Sequence, residues 1–527
     1  MKRLLRFVAM AACGALVVTA PHPAAQARAP RAAHPAEPAA MAAPASASAP
    51  KDLAVTTDHT IQLDGRTIPY TATAGSMVLD DGHGAPAAAM SYVAYTSTDV
   101  TDPATRPVAF LYDGGPGFAS IWINIGAFGP ERVVVPDAAS GGAPPYRMVA
   151  NEYSLLDRTD LVFLDPVGTG FSHAVGQAHD LDFWGVDPDA RSLAQFIRKY
   201  ISRHDRWNSP KFLLGLSYGT FRSAVLGNYL QSHDNISLNG IVLISSMLDM
   251  ATKSFRPGAD LPYELYLPTY AATAWYHKLL NPQPPDLPAF LEQVRTFART
   301  TYAAALMEGA GLSPARKQAI ARQLAQYTGL PADYIVAADL RVDVSQFLAE
   351  LQRSRGVVLS RLDSRYSGDV YDPLSETAEY DPIRPAIYGA FTAAFHTCLT
   401  RDLKFETDDT YVVSSPDAAR SWDWGHAARG ERYGGPGQPN VGPDLQQALV
   451  TNPDLYIQVD NGYYDFATPF FATEFTMNHL GLPAHLQDHI SLQYYQSGHM
   501  IWLHVPSLAR LSANVRAFFA AHSQPTR

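Results

Sequence analysis

The chain has 527 residues, of which 47% are apolar and 17% are charged, values typical of a globular protein and not of a disordered one. Asp and Glu together number 50 against 40 Lys and Arg, which gives a net charge of −10 with neutral histidines. This balance, with no basic stripe or arm in the sequence, argues against nucleic acid as a partner.

The N-terminal residues have the order of regions that is typical of a secretory signal peptide. Three basic residues precede the apolar stretch "FVAMAACGALVVTA", and "AQA" at 25–27 offers small residues for cleavage. We expect residues 1–27 to be removed and the protein to be exported to a periplasm or to the medium, with no stable membrane insertion afterwards. A retained anchor is the alternative, although the stretch is short for a bilayer. Residues 28–50 are rich in Ala and Pro and are predicted to be a disordered tether.

Cysteine usage limits how the chain can be stabilised. Cys13 lies inside the predicted signal, so Cys398 is the one cysteine of the 527-residue sequence that remains after cleavage. A lone cysteine forms no intrachain disulfide, and stability must therefore come from burial of an apolar core. Cys398 is predicted to be a small buried residue without a catalytic role.

The pattern of apolar residues predicts an α/β protein with a mostly parallel central sheet. Residues 54–100 alternate apolar and polar positions around Asp-Gly turns, which indicates antiparallel hairpins. Continuous apolar runs follow, and such runs indicate strands covered by helices on both faces. These runs are "VAFLYD" (108–113), "LVFLDPV" (161–167), "FLLGLS" (212–217), "GIVLISS" (240–246), "LYIQVD" (455–460) and "ISLQYY" (490–495).

The long interval between the fourth and fifth of these runs reads as helices. One of them begins at Ser313-Pro314, a capping residue followed by proline at the first helical position. We therefore predict that a helical cap is inserted into one α/β core. The predicted parts are the first part of the core (51–250), the helical cap (251–445) and the second part of the core (446–527).

The segment Gly215-Leu216-Ser217-Tyr218-Gly219 fits the pattern G-x-S-x-G, in which a serine nucleophile lies on a strained turn between a strand and a helix. The pattern also occurs by chance, and the alternative is an ordinary serine in a tight turn. A serine nucleophile needs a histidine base and an orienting carboxylate, which follow it in that fold in the order serine, acid, histidine. His499 follows the last apolar run, and Asp460 and Asp465 both follow the run before it; spacing alone does not choose between the two acids.

Other chemistries lack their sequence patterns. The glycine-rich turns after 113 and 167 carry neither G-K-[ST] nor G-x-G-x-x-G, the patterns of phosphate and dinucleotide binding. The sequence has no H-E-x-x-H motif and no cluster of Cys and His. We therefore predict no metal and no cofactor.

Five segments in order resemble those of the serine carboxypeptidases, and the match looks most like the bacterial branch of that family. The resemblance implies an α/β-hydrolase fold and cleavage of peptides near the C-terminus through an acyl-enzyme. The segments are Asp113-Gly114-Gly115-Pro116-Gly117, Pro166 to Ser172, Gly215 to Tyr218, Tyr464-Asp465-Phe466 and Gly498-His499-Met500.

The resemblance implies roles for individual residues. Ser217 would be the nucleophile, His499 the base and Asp465 the group that orients it. Backbone N–H groups of two residues would form the oxyanion hole, namely Gly115 and Tyr218. Candidate substrate-binding residues are Asp113, Gly114, Met500 and Arg222. For Arg222 a structural ion pair is the interpretation that we favour over substrate binding.

The departures from the family concern the group that binds the substrate's free carboxylate. Family members use an asparagine and a pair of glutamates, where this chain has Asp113, Leu216 and Ala127.

The expected function is a serine carboxypeptidase acting on peptides. The alternatives are an esterase or acyltransferase on the same triad, favoured by the changed clamp, and a non-catalytic binding protein of the same fold. The oligomeric state stays open.

Overall fold

In the computed structural model, which describes residues 50–427 and 439–523, most strands join one ten-stranded sheet. The predicted signal peptide and nearly all of the predicted tether lie outside these residues. The strands in chain order are β1 (Leu53–Leu63), β2 (Arg66–Asp80), β3 (Pro86–Ser97), β4 (Val108–Tyr112), β5 (Glu131–Val133), β6 (Met148–Ala150), β7 (Asp160–Leu164), β8 (His173–Ala174), β9 (Lys211–Leu216), β10 (Gly240–Ile244), β11 (Val357–Leu359), β12 (Ser367–Asp369), β13 (Tyr456–Gly462) and β14 (Ile490–Tyr495).

The sheet has the order β1-β2-β3-β7-β4-β9-β10-β13-β14, with β8 paired to β3. From β7 to β14 all neighbouring strands are parallel, whereas β1, β2 and β3 are antiparallel to one another and β3 is antiparallel to β7. The predicted α/β fold with a mostly parallel sheet is therefore confirmed.

The entry hairpin follows from its turn residues. Asp64 and Gly65 connect β1 to β2 and have positive φ angles of 49° and 75°. Two positive φ values are what a two-residue type I′ turn requires, and an Asp-Gly pair accepts them at low cost. The turn pairs Leu63 with Arg66 and so sets the register of both strands.

The helices are α1 (Ile121–Ile123), α2 (Val186–Arg203), α3 (Tyr218–Ser232), α4 (Leu261–Tyr276), α5 (Leu287–Phe297), α6 (Ala303–Glu308), α7 (Pro314–Thr328), α8 (Ala332–Ala337), α9 (Val344–Glu350), α10 (Ile383–Thr397), α11 (Pro416–Ser421), α12 (Gly442–Thr451), α13 (Phe470–Asn478), α14 (Ala484–Gln487) and α15 (Val505–His522). As predicted, α7 begins after Ser313, whose side chain accepts a hydrogen bond from the Arg316 N–H. Within the described ranges, no helix combines the length and the apolar character that crossing a membrane requires.

Alternate residues of the central strands point into two different cores. Phe110 belongs to the core that α2, α3 and α12 form on one face of the sheet, and its neighbour Leu111 belongs to the core that α10 and α15 form on the other. Both residues are fully buried. A strand covered on both faces has this continuous apolar sequence because each of its faces needs apolar side chains.

The predicted cap is divided between two environments. Helices α4, α5, α7 and α9 form a third apolar core, which α13 and the aromatic residues after β13 complete. Helix α10, by contrast, packs in the core on one face of the sheet. The described residues after position 49 form one compact unit, so the boundaries at 251 and 445 stay predictions.

His426 joins the segment after α11 to two helices through charged hydrogen bonds. Its Nδ1 and Nε2 atoms lie 2.7 Å and 2.8 Å from carboxylate oxygens of Asp187 and Asp444, respectively. Burial alone lowers the pKa of His426, but the two carboxylates outweigh burial and raise the pKa to about 9.

We expect this contact to stabilise the fold below pH 6.5 and to be lost as the pH rises towards 9. In that interval the folded state holds a proton that the unfolded state releases, so the free energy of unfolding falls with rising pH. Urea denaturation of the wild type and His426→Gln at pH 6 and pH 10 measures the effect. The variant should lose more stability at pH 6 than at pH 10, and an equal loss at both would contradict the assignment.

Candidate active site

Ser217 lies on a strained turn at the carboxyl end of β9. Its backbone has φ 59° and ψ −125°, a conformation that is costly for a residue other than glycine, and α3 starts at the next residue. A Cβ atom at Gly215 would lie 2.2 Å from the carbonyl oxygen of Gly219, so the sharp turn requires glycine at that position. The Ser217 N–H donates to the Ile244 carbonyl at 2.9 Å and ties the turn to β10. This is the geometry of a nucleophile elbow.

The glycine-rich turn after β4 lies directly against the start of α3. A Cβ atom at Gly114 would approach the backbone nitrogen of Tyr218 to 2.4 Å, so only glycine allows the two segments to be this close. Gly115 follows with φ +105°, which also favours glycine. In the part of the chain that the structure describes, the N–H groups of Gly115 and Tyr218 donate no hydrogen bond. Two unused donors therefore lie next to Ser217.

A histidine and a carboxylate meet at the ends of β13 and β14. The Nδ1 atom of His499 lies 2.7 Å from Oδ2 of Asp465, and both side chains are buried. Asp465 also accepts hydrogen bonds from the Thr468 hydroxyl at 2.6 Å and from the Ala467 N–H at 2.7 Å. These bonds fix the carboxylate and leave the Nε2 atom of His499 as the nitrogen without a carboxylate partner.

Ser217 and His499 line one cavity of about 300 Å³. The hydrogen bonds of the described residues do not include one between the Ser217 hydroxyl and the His499 ring, a separation that is common in hydrolases before substrate binds. The other lining residues are Asp113, Gly114, Gly115, Pro116, Phe118, Trp122, Leu216, Met247, Lys253, Arg361, Leu362, Arg384, Tyr388, Ala419, Ala467, Thr468 and Met500.

A loop from the predicted cap holds the acid and histidine loops together. The carbonyl of Arg361 accepts the Phe466 N–H at 3.0 Å, and the carbonyl of Leu362 accepts the His499 N–H at 2.7 Å. Asp363 accepts the Gly498 N–H at 3.1 Å and forms a buried ion pair with Arg365. The loop therefore fixes the relative positions of Asp465 and His499.

Comparisons with known proteins agree with this arrangement. The sequence profile of the serine carboxypeptidase family matches residues 75–283. Serine carboxypeptidase-like 34 from Arabidopsis thaliana is 26% identical over 205 residues, which are 37% of this chain and 39% of the relative. Serine carboxypeptidase-like 11 from the same plant is 30% identical over 150 residues, which are 27% of this chain and 34% of the relative.

Over this part of its length the chain is similar to the serine carboxypeptidases. Its alignments span about a third of the length of these curated relatives. A solved structure shares the fold over more of the chain: the prohormone-processing carboxypeptidase Kex1(delta)p from Saccharomyces cerevisiae superposes with a TM-score of 0.53 at 15% identity, covering 86% of this chain and 91% of the yeast chain. These relatives come from a plant and a yeast, so membership of the bacterial branch stays a prediction.

Asp113, at the position of the family's asparagine, is buried at the inner wall of the cavity. Its Oδ2 atom accepts the Trp122 N–H at 3.0 Å, whereas Oδ1 is buried and has no hydrogen-bond partner among the described residues. Burial raises the pKa of Asp113 well above its usual value, and the neighbouring charge of Asp165 raises it further. The site therefore favours the neutral carboxylic acid, which can donate a hydrogen bond as an amide does.

We expect Asp113→Asn to keep activity and to remove a pH dependence of stability. The folded state holds the Asp113 proton above the pH at which the unfolded chain releases it, so the wild type loses stability as the pH rises above about 4. Asparagine mimics the neutral acid and does not titrate. Thermal unfolding between pH 5 and pH 8 should show a smaller decline in Tm for the variant, and a steeper decline would contradict a neutral Asp113.

Arg222 is engaged beneath the elbow and does not line the cavity. Its guanidinium donates to Asp189 at 2.6 Å and 3.3 Å and to the backbone carbonyl of Asp113 at 2.6 Å, and it lies over the rings of Tyr112 and Tyr218. A fully buried side chain with these contacts cannot reach a substrate. The geometry supports the structural ion pair and not the candidate substrate-binding role of Arg222.

Asp460, the other candidate acid, lies apart from the histidine. Its carboxylate accepts hydrogen bonds from the Tyr495 hydroxyl at 2.7 Å and from the Gln458 side chain at 3.0 Å and 3.1 Å. Burial raises its pKa to about 7. The structure thus brings Asp465, and not Asp460, to His499.

Several cavity residues were not anticipated from the sequence. Lys253 follows β10, where the rule that sites collect at the carboxyl ends of parallel strands could have found it. The other four residues carry no local sequence pattern. Arg361 comes from the irregular loop before β12, and the remaining three come from helices α1 and α10, which also contribute apolar residues to the core. The residues concerned are Trp122, Lys253, Arg361, Arg384 and Tyr388.

Proposed function

We propose that this chain is a serine carboxypeptidase that hydrolyses peptides near their C-terminus. The observation that carries the proposal is the contact of 2.7 Å between His499 and Asp465 beside a cavity that His499 shares with Ser217. The serine lies on a strained turn, the histidine has a buried carboxylate partner, and two unused N–H groups adjoin the serine. Together these are the parts that acyl transfer from a serine needs.

In the proposed reaction, the Ser217 hydroxyl oxygen attacks the carbonyl carbon of the substrate while Nε2 of His499 accepts its proton. The carbonyl oxygen becomes an oxyanion, to which the N–H groups of Gly115 and Tyr218 donate; each donor is typically worth about 3–4 kcal/mol in the transition state. His499 then gives the proton to the departing amine as the C–N bond breaks, which leaves an acyl-enzyme. Water, deprotonated by the same histidine, releases the acid and restores Ser217.

Asp465 would keep the proton of neutral His499 on Nδ1, so that Nε2 is free to act as the base. The Thr468 hydroxyl and the Ala467 N–H hold the carboxylate in place for this role. Once His499 is protonated, the buried carboxylate would also stabilise its positive charge.

An esterase or acyltransferase on the same residues is the second candidate, and the altered clamp favours it. Asp113 and Leu216 line the cavity where the family has an asparagine and a glutamate, and Ala127 is buried outside the lining. A binding protein without activity is the third candidate. The presence of Ser217, Asp465 and His499 together argues against it.

The test compares three substrates with the same acyl group from pH 4 to pH 8: a blocked dipeptide with a free C-terminal carboxylate, its C-terminal amide and a simple ester. The proposal predicts that the free acid has the highest kcat/KM and that Ser217→Ala loses all three activities. Ester cleavage with the free acid ignored would support the second candidate. Folded protein that hydrolyses none of them would overturn the peptidase proposal.

Export and the bacterial branch also belong to the proposal, and they rest on residues 1–27 and on the quoted segments. We expect the mature protein to start at Arg28 in a periplasm or in the medium. Sequencing of the N-terminus of protein from those fractions tests this, and a product that keeps Met1 in the cell would contradict it. Peptides are the expected partners, and nucleic acid is not.

A further inference from the structure

The walls of the cavity carry positive charge that the catalytic residues do not use. Its lining contains three cationic side chains, Lys253, Arg361 and Arg384. None of the three forms an ion pair with a carboxylate in residues 50–427 or 439–523. The one carboxyl group in the lining is Asp113, whose pKa burial raises well above its usual value. An anionic group that enters this cavity therefore meets three cations that form no ion pair among the described residues. The carboxylates of Asp465 and Asp381 act on Lys253 and Tyr388 from outside the lining.

Arg384 is connected through stacked side chains to Asp113, the residue at the position of the family's asparagine. Its guanidinium lies 5.5 Å from the ring centre of Tyr388, which is one turn further along α10. The Tyr388 ring in turn lies 4.4 Å from the ring of Trp122, and the backbone N–H of Trp122 donates to Asp113. Arg384 thus projects from the same wall of the cavity as the residue that replaces the family's asparagine.

Arg361 reaches the cavity from a loop that is fixed against the proposed triad. Its carbonyl accepts the N–H of Phe466, the residue after the acid, and the carbonyl of the next residue accepts the N–H of His499. Burial raises the pKa of Tyr388. The positive charges of Arg384 and Arg361 lower this pKa, and the negative charges of Asp381 and Asp113 raise it. Both side chains are unpaired and belong to exposed residues, which leaves their donors available to a ligand.

Lys253 lies deeper and is held differently. Its ammonium group donates to the Met247 sulfur at 3.2 Å. Burial and the charge of Arg361 lower the pKa of Lys253 to about 8. Compared with this partly desolvated amine, the two guanidinium groups are fully charged and can each donate two parallel hydrogen bonds to one carboxylate.

We propose that Arg361 and Arg384 bind the C-terminal carboxylate of the substrate and thereby replace the family's clamp of an asparagine and two glutamates. This inference rests on the proposed peptidase function, because it assigns the free carboxylate to the leaving-group side of the bond that Ser217 attacks. A neutral Asp113 adds a donor or acceptor at the same wall and no repulsion. The chain would then release the last residue of a peptide through charge pairing, where the family clamp uses neutral hydrogen-bond donors.

The experiment uses the full chain and measures kcat/KM for the blocked dipeptide acid and for the matched ester. We expect Arg361→Gln and Arg384→Gln each to lower the ratio of acid to ester hydrolysis about 10- to 100-fold, the loss typical of a charged hydrogen bond. Arg361→Lys and Arg384→Lys should fall between wild type and the glutamine variants, since they keep the charge and lose the paired donors. Arg420→Gln is the matched control, because that exposed arginine pairs with Asp417 beside the cavity; its ratio should equal that of the wild type.

The outcomes separate the two proposals. If acid and ester hydrolysis fall together in the arginine variants while their Tm is unchanged, the carboxylate role is wrong and the triad proposal stands. Wild type that cleaves the ester and ignores the acid likewise overturns the carboxylate role and leaves the triad proposal in place. Wild type that is folded and cleaves neither substrate overturns the peptidase proposal and this inference with it.

Discussion

Ser217→Ala is expected to lower kcat for the dipeptide acid by about 10⁶-fold, the loss that removal of a serine nucleophile causes in other serine hydrolases. The variant keeps the N–H groups of Gly115 and Tyr218, so a residual rate above that of water alone should remain. The strained turn becomes no worse with alanine, because its φ of 59° is set by the packing of the elbow. The measurement is steady-state hydrolysis at high enzyme concentration, with circular dichroism to verify folding.

Ser246→Ala provides the matched control for this substitution. Ser246 is another buried serine that follows a neighbouring strand, and its hydroxyl has no hydrogen-bond partner among the described residues. We expect its variant to hydrolyse the substrate at the wild-type rate. Ser217→Ala with wild-type kcat would contradict the assigned nucleophile.

Asp465→Asn is expected to lower kcat by about 10⁴-fold. An asparagine at this position keeps the volume of the side chain but can donate to Nδ1 of His499, which would move the ring proton to Nε2 and leave no base facing Ser217. The Ala467 N–H can still donate to the amide oxygen at the Oδ1 position and hold the new side chain in place, whereas the Thr468 hydroxyl would have to turn and accept from the amide nitrogen at the Oδ2 position. The pH profile of kcat/KM measures the change, since the activity limb that reports the histidine should be altered in this variant.

Asp460→Asn separates a catalytic carboxylate from a merely buried one. Asp460 lies in β13 and Asp465 follows that strand, five positions further along the chain, and both are fully buried. Burial raises the pKa of Asp460 to about 7, so the neutral amide imitates a form that the wild type already adopts near that pH. Its activity should match that of the wild type. A larger loss for Asp460→Asn than for Asp465→Asn would reverse the assignment of the acid.

The strands, the entry hairpin and the serine turn could be predicted from the sequence because each is marked by residues that are close together in the chain. Continuous apolar runs identify the parallel strands, and the turn residues Asp64 and Gly65 identify the entry hairpin. Position 215 requires glycine because a Cβ atom there would lie 2.2 Å from the carbonyl oxygen of Gly219. Both residues belong to one pentapeptide, so a short sequence pattern is enough to predict this constraint. The order of Ser217, Asp465 and His499 along the chain was equally visible.

The chemistry of the cavity walls was harder to predict, because it depends on contacts between segments that are distant in sequence. Arg361 comes from an irregular loop that becomes part of the site through hydrogen bonds to residues more than 100 positions away. Arg384 lies on a helix whose apolar side packs in the core, and nothing in the helix sequence shows that the side with Arg384 lines the cavity of Ser217. For Arg222 the sequence indicated an ion pair but did not identify the partner, because Asp189 is 33 positions away in the chain.

The most direct test of the proposed nucleophile is labelling of the folded protein with an organophosphonate, followed by mass spectrometry of the peptides. The proposed mechanism predicts one adduct, on Ser217, that is absent in Ser217→Ala and forms much more slowly in His499→Ala. An adduct on another residue, or no adduct on folded wild-type protein, would contradict it.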